Sequence, residues 1–300
     1  MPADFQIFST LRYDPLLLEV STRSNMDYAG WNHVNQSPFY MLDFHRDRML
    51  RAAAHWEWDA VVKKLSGDAG LQWLAKSITG AIINGEDEQE RQQQEQQPMR
   101  VRVSFSEEGE ITVTAAPIPA VPLANLLPQK LPVPGSLLPS SSGDEEGQYV
   151  LPGKDGEYEV VLDSQRTPSS EFTHFKTTKR PMYDSARQRA HISLSDKKEV
   201  LTVNHKDGTI MEGSVTTPYF WRGGRWVTPP VSAQYSSENG SGGQNGTTRR
   251  WVLEKYDAIP FAAFICFNTT RARLTIYCVG ALRSRRPSQL TLWLTVKNAG

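Results

Sequence analysis

From His45 onward, His45, Arg48, Met49, Ala52, Ala53 and Trp56 return at spacings of three and four, the signature of one face of a helix. Asp43 stands just ahead of them, where its side chain can cap the first turn. Leu71, Leu74, Ala75, Ile78 and Ile82 repeat the spacing and predict a second helix whose stripe serves only a core. A further helical region is expected near Trp31. Other stretches keep the two-residue rhythm of strands. FQIFSTLRY, Phe5 to Tyr13, is rich in aromatic and β-branched residues and is stopped by Asp14-Pro15. Val101 to Phe105 alternate after the lead-in Arg100, ITVTAA answers them, and SEEGE between the two predicts a hairpin turn.

In the second half, EYEVVLD (Glu157 to Asp163), EVLTVN and IMEGSVTTPYFW read as strands, with HKDG as a turn. Gly223-Gly224 turns a hairpin between YFWR and RWVTPP, and a Gly/Ser/Asn loop from Gln234 to Gly246 leads into the helix TTRRWVLEKY. Strands and helices alternate, so the fold class is mixed, α/β or α+β. Two stretches lack a face to bury. GEDEQERQQQEQQP, Gly85 to Pro98, is a Glu/Gln-rich insert expected to stand in solvent. Pro117, Pro119, Pro122, Pro128, Pro132, Pro134 and Pro139 stud the approach to SSSGDEEG. That composition predicts an interdomain connection with its boundary near Gly147 to Gly156, and so domains of 1–150 and 151–300.

Charge narrows the partners. Thirty-three basic residues balance 33 acidic ones over 300 positions, so no global field recruits nucleic acid or an anionic membrane. No apolar run approaches the roughly 20 residues of a membrane span, and MPADFQIFST lacks a basic region followed by an apolar one. The expected compartment is the cytoplasm. Cys266 and Cys278 have no metal-ligand spacing and read as reduced thiols. The Asn-x-Ser/Thr triplets at Asn35, Asn239, Asn245 and Asn268 then carry no meaning. No dinucleotide-binding glycine pattern, phosphate-binding P-loop or nucleophile elbow is present.

Residues with chemical potential lie far apart: Arg48 near a helix start, the basic cluster HFKTTKR around Lys176, Glu212 opening EGSVTT, and GTTR from Gly246 to Arg249. A glycine-rich loop entering a helix at Thr247-Thr248 offers free N–H groups and two hydroxyls to an anion such as phosphate. The same residues serve equally as a plain threonine cap, and the basic cluster alone reads as a solvated turn.

Taken together and in order, these pieces resemble the class IV (fold type IV) pyridoxal-phosphate enzymes, a group that includes branched-chain and D-amino-acid aminotransferases and 4-amino-4-deoxychorismate lyase. The resemblance runs from about Phe5 to Tyr256. HRDRM, His45 to Met49, is similar to the family's HxxRL helix start, with Met49 in place of leucine, and implies that Arg48 holds the cofactor phosphate. FKTTKR aligns Lys176 with the lysine that bonds the cofactor aldehyde, with Lys179 where asparagine is frequent. EGSVTT aligns Glu212 with the glutamate facing the pyridine nitrogen, and Thr217 replaces the usual asparagine. GTTR resembles the GxTR phosphate loop. The resemblance thus implies Lys176 as the catalytic residue, and Arg48, Glu212, Thr216, Thr217, Thr247 and Thr248 as ligands of pyridoxal 5'-phosphate, with no metal.

It also implies a small N-terminal α/β domain, a larger barrel-like C-terminal α/β domain, a homodimer and a small-molecule amino substrate. Lys176, partly desolvated beside Lys179 and Arg180, is expected to be buried and to hold a lowered pKa. LRYDP and the whole pattern look most like the lyase-type members, which form 4-aminobenzoate and pyruvate for folate synthesis. An aminotransferase and a non-catalytic remnant of the fold share the same motifs. Arg12, Arg23 and Arg100 are unranked candidates for holding substrate carboxylates. After Tyr256 the pattern changes. Only Asp257 is acidic against six basic residues, and the family's acidic helix and closing strands are not recognisable there.

Overall fold

The computed structural model describes residues 3–85, 87–129, 159–193, 195–236, 242–255, 259–260, 274–279 and 290–296. The boundary stretch Gly147 to Gly156, Cys266, Asn239 and Asn268 lie outside these residues. The described chain forms two compact units. The first runs to Ala120 and includes the short segment Phe175–Lys179; the second holds the rest.

The first unit is built on strand β1, Ile7–Tyr13, where the aromatic and β-branched run predicts it, and every one of its residues is buried. β1 pairs antiparallel with β2, Met99–Phe105, and β2 with β3, Ile111–Pro117, in the expected hairpin. The other edge of β1 is also covered at its start. Phe8 N donates to the Lys176 carbonyl at 3.1 Å, Thr178 N donates to Gln6 O at 2.9 Å, and Ile7 bridges Thr177. Ser9, Thr10 and Arg12 are buried along β1 as well.

After β1, Asp14 accepts the N–H of Leu16 and opens a 3-10 turn at Pro15, as the Asp-Pro pair suggests. A one-turn helix α1, Trp31–Val34, and the longer α2, Leu42–His55, follow. The stripe of α2 is buried as its periodicity predicts, through His45, Arg48, Met49, Ala52 and Ala53. Its start differs. Met41, in the left-handed region at φ 51°, precedes the helix and no side chain caps it. Asp43 lies inside the first turn, where its charge suits the helix dipole. Burial of Met41 and Leu42 decides the entry, with Asn32 Oδ1 accepting Met41 N at 2.9 Å.

Helices α3, Asp59–Leu65, and α4, Gly67–Ile82, complete the layer; α4 buries Leu74, Ile78 and Ile82. α2 packs on β1, α3 and α4. The Glu/Gln-rich insert forms a helix, α5, Glu88–Gln96, with no buried residue. Asp87 caps it by accepting Glu90 N at 2.8 Å. Its solvation was expected; its helicity follows from that cap and from the strong helix propensity of Glu and Gln.

The second unit begins with the short α6, Leu123–Leu126, and contains two open sheets among its described residues. In one, β4, Glu159–Thr167, lies parallel to β5, Lys198–Asn204, which pairs antiparallel with β6, Ile210–Gly213. Between β4 and β5 come α7, Glu171–His174, and α8, Pro181–Arg189, the latter started by a proline at its first position. In the other sheet β7, Thr216–Arg222, and β8, Arg225–Thr228, form the hairpin around Gly223 and Gly224, both at positive φ. Helix α9, Thr247–Lys255, follows the Gly/Ser/Asn loop.

The segment after Tyr256 does supply strands. β9, Ile259–Pro260, joins β8; β10, Leu274–Val279, pairs with β11, Leu290–Val296; and β11 runs parallel to β7, giving the order β10-β11-β7-β8-β9. Among the described residues no helix is long and apolar enough to cross a membrane.

Candidate functional site

Each unit gathers part of the expected residue set. In the first, β1 and α2 bring Ser9, His45 and Arg48 together. Ser9 Oγ lies 2.7 Å from His45 Nδ1, and Arg48 Nη2 donates to Ser9 Oγ. Arg48 carries only donors and also points Nη2 at His45 Nδ1, at 3.4 Å. Nδ1 is therefore the acceptor for the Ser9 hydroxyl, and the imidazole proton sits on Nε2. Burial, then the charges of Arg48 and Lys176, holds His45 well below its ordinary value, so the ring is neutral at pH 7.

Arg48 pays for its position. Burial, with the neighbouring Arg51 charge, brings it down to about 9. A guanidinium is a donor of the kind that binds phosphate.

Lys176 is half-buried rather than buried, and its Nζ stands 5.0 Å from the centre of the Phe8 ring. Its carbonyl is held by Phe8 N, so β1 positions its backbone. Lys179, expected as a like-charged support, is turned to Asp4, both of whose oxygens it reaches at 3.0 Å. Of the three arginines considered for substrate carboxylates, Arg12 is fully buried, with Nη2 2.6 Å from Asp14 Oδ2 and also bonded to the Pro119 carbonyl. Arg23 pairs with Glu19, and Arg100 lies opposite Arg12 in the strand register.

In the second unit, Glu212 on β6 is buried and held at both oxygens. Tyr183 of α8 donates its hydroxyl to Oε1, and Gln244 N donates to Oε2 at 3.2 Å. Burial, then the Glu212 charge, raises Tyr183 well above the ordinary tyrosine value and keeps it the donor. Around the start of α9, a Cβ on Gly246 would lie 3.2 Å from Thr217 Oγ1, so glycine leaves that hydroxyl uncovered and brings β7 and the helix entrance together. Thr247 is buried and Thr248 half-buried, and first-turn N–H groups have no carbonyl within their own helix.

Thr216 differs from expectation: its hydroxyl proton goes to Glu199 Oε2 at 2.7 Å. Arg249, buried behind the loop, donates Nη1 to Asn245 and Nη2 to the Pro229 carbonyl, while its Nε meets no acceptor among the described residues. Burial lowers it, and the Tyr219 and Glu212 charges partly restore it.

Residues 147–282 match the amino-transferase class IV family model. That class IV segment contains Lys176, Glu212 and the GTTR entrance of α9. The fold agrees with it. A solved structure of a protein assigned as an amino-acid aminotransferase, from Mesorhizobium loti, superposes with a TM-score of 0.55 at 17% identity, covering 98% of this chain and 100% of that one. Among curated proteins, none matches the chain significantly. Together the family match and the fold support the class IV pyridoxal-phosphate family, whose members use pyridoxal 5'-phosphate.

The donor set fits that cofactor. A phosphate needs cations and free N–H groups; the first unit offers Arg48, and the second, by itself, the start of α9 and the Nε of Arg249, which meets no acceptor among the described residues. A pyridinium nitrogen needs a fixed carboxylate, which Glu212 is, and an aldehyde needs an amine, which Lys176 carries. Tyr183 and Gln244, which hold Glu212, and Glu199, which holds Thr216, were not legible as parts of the site. Glu199 left the one available signal, a charged residue inside the apolar strand KEVLTVN.

Proposed function

We propose that the protein is a pyridoxal-phosphate-dependent lyase of the aminodeoxychorismate type, releasing 4-aminobenzoate and pyruvate from 4-amino-4-deoxychorismate. The observation that carries the cofactor chemistry is the buried Glu212 carboxylate, clamped by Tyr183 and Gln244 inside the class IV segment. The lyase assignment leans on LRYDP and on the order of motifs along the chain.

Pyridoxal phosphate, when bound, supplies an electron sink for the carbon that bears the substrate nitrogen. Arg48 in the first unit, and Thr247, Thr248 and the N–H groups at the start of α9 in the second, are the groups that would hold its phosphate. Glu212 would keep a proton on the pyridine nitrogen, which deepens the sink. Lys176 carries the amine that would meet the aldehyde and, as a free base, would hold the proton from the carbon bearing the substrate nitrogen. In the lyase reaction, loss of that proton and of the enolpyruvyl group would make the substrate ring aromatic. The same base serves transamination, so a class IV aminotransferase for branched-chain or D-amino acids is the second reading, in line with the aminotransferase assignment of the Mesorhizobium protein. The reading extends to a homodimer in the cytoplasm, with a small N-terminal and a larger barrel-like C-terminal domain.

The test begins with purified protein given pyridoxal phosphate, reduced with borohydride and mapped by peptide. Label on Lys176, lost in Lys176→Ala, supports the reading; a colourless protein with unlabelled Lys176 sinks it and leaves a remnant of the fold. Release of 4-aminobenzoate without a keto-acid acceptor supports the lyase. A strict need for 2-oxoglutarate or pyruvate gives the aminotransferase.

A further inference from the structure

Glu199, on β5, is buried to 1% exposure, yet no cation pairs with it among the described residues. An isolated buried carboxylate is expensive unless hydrogen bonds replace its water. Five donors do so here. Oε1 accepts Val200 N at 2.8 Å, Ser214 Oγ at 2.6 Å and, at 3.1 Å, Ser214 N, which shares its proton with the Val200 carbonyl at 2.9 Å. Oε2 accepts Val215 N at 3.3 Å and Thr216 Oγ1 at 2.7 Å. Four of the five come from the turn between β6 and β7, the turn that begins directly after Glu212 and ends at Thr216 and Thr217.

The turn is braced from its other side too. Arg187 Nη1 donates to Ser214 Oγ at 3.1 Å and Arg180 Nη2 to the Ser214 carbonyl at 2.8 Å, so Ser214 relays the arginine's pull to Glu199. Gly213 leaves the room this needs: a Cβ there would lie 2.1 Å from Thr216 Oγ1 and 3.0 Å from the Glu199 carboxylate.

From this geometry we infer that Glu199 is a positioning residue: it locks the Gly213–Thr216 turn and so sets the spacing between Glu212 and the Thr217 hydroxyl. It touches neither substrate nor cofactor. A preformed turn lowers the ordering needed when a ligand binds at both of its ends, so its effect falls on cofactor affinity and on the state of the group facing Glu212. The inference rests on the pyridoxal-phosphate reading above.

The experiment compares wild-type protein with Glu199→Gln, whose amide can accept at one oxygen only and turns a donor toward another donor. Amide hydrogen exchange is followed at Ser214 and Val215 without cofactor, and pyridoxal phosphate is titrated by absorbance. Expected are exchange about tenfold faster at Val215 and less changed at Ser214, which keeps the Val200 carbonyl, an apparent Kd for pyridoxal phosphate about tenfold weaker, and a shifted absorbance band, with borohydride still labelling Lys176 at saturation. Unchanged exchange, or faster exchange with affinity and band both as in wild type, overturns the inference. If Glu199→Gln gives no cooperative melt, Ser214→Ala is measured the same way, with changes of about threefold expected and none overturning it. Failure of the wild type to label Lys176 counts against the cofactor reading instead, a result these variants cannot mimic.

Discussion

The Tyr183 hydroxyl donates to Glu212 across 29 residues of sequence, joining α8 to β6 in the buried part of the second unit. Because the phenol is raised well above its ordinary value, the native state keeps a proton that the unfolded chain releases near pH 10. Its contribution to stability is therefore complete below about pH 10 and is lost as pH rises beyond it. In urea unfolding between pH 9 and 11.5, Tyr183→Phe should remove about 1.4 kcal/mol per pH unit of the alkaline slope. An identical slope in the variant would contradict a protonated donor there.

His45 predicts the opposite limb. Burial holds it neutral well below its ordinary value, so the unfolded state takes up a proton first as pH falls. The stability this gives is complete above about pH 6.5 and declines below it, by about 1.4 kcal/mol per unit. His45→Gln, which keeps an acceptor for Ser9, should flatten that acid limb in urea melts at pH 4.5 to 7. A limb of unchanged steepness would show that His45 is already charged in the native state.

Arg48, brought down to about 9 by its burial, should respond to anions. Inorganic phosphate is expected to raise the melting temperature of the wild type, with Arg48→Met removing the Arg48-dependent part. Calorimetry of both proteins with and without phosphate decides it, and a phosphate-dependent rise in Arg48→Met equal to that of the wild type would refute it.

Two glycines should behave in opposite ways. Gly80, in the exposed interior of α4, has open space where a Cβ would go, so Gly80→Ala should add about 0.5–1 kcal/mol in denaturant unfolding. Gly213→Ala drives a methyl into Thr216 Oγ1 and the Glu199 carboxylate, at a loss of about 1–3 kcal/mol. Equal midpoints for the two variants would contradict the packing described for the turn.

What the sequence by itself determined was everything carried by short periods: β1, the β2–β3 and β7–β8 hairpins, the buried stripes of α2 and α4, the loop-to-helix entrance at Thr247, and the class of cofactor through motifs in order. Periods of two and of three to four act between near neighbours, so they survive without knowledge of the fold. Tertiary structure alone decided which polar groups meet. Thr216 turned out to serve Glu199, 17 residues away, Arg12 to serve Asp14, and Lys179 to serve Asp4. Asp43 yielded the start of α2 to the burial of Met41 and Leu42. A buried donor must find an acceptor wherever packing places one, and no local pattern records where that is.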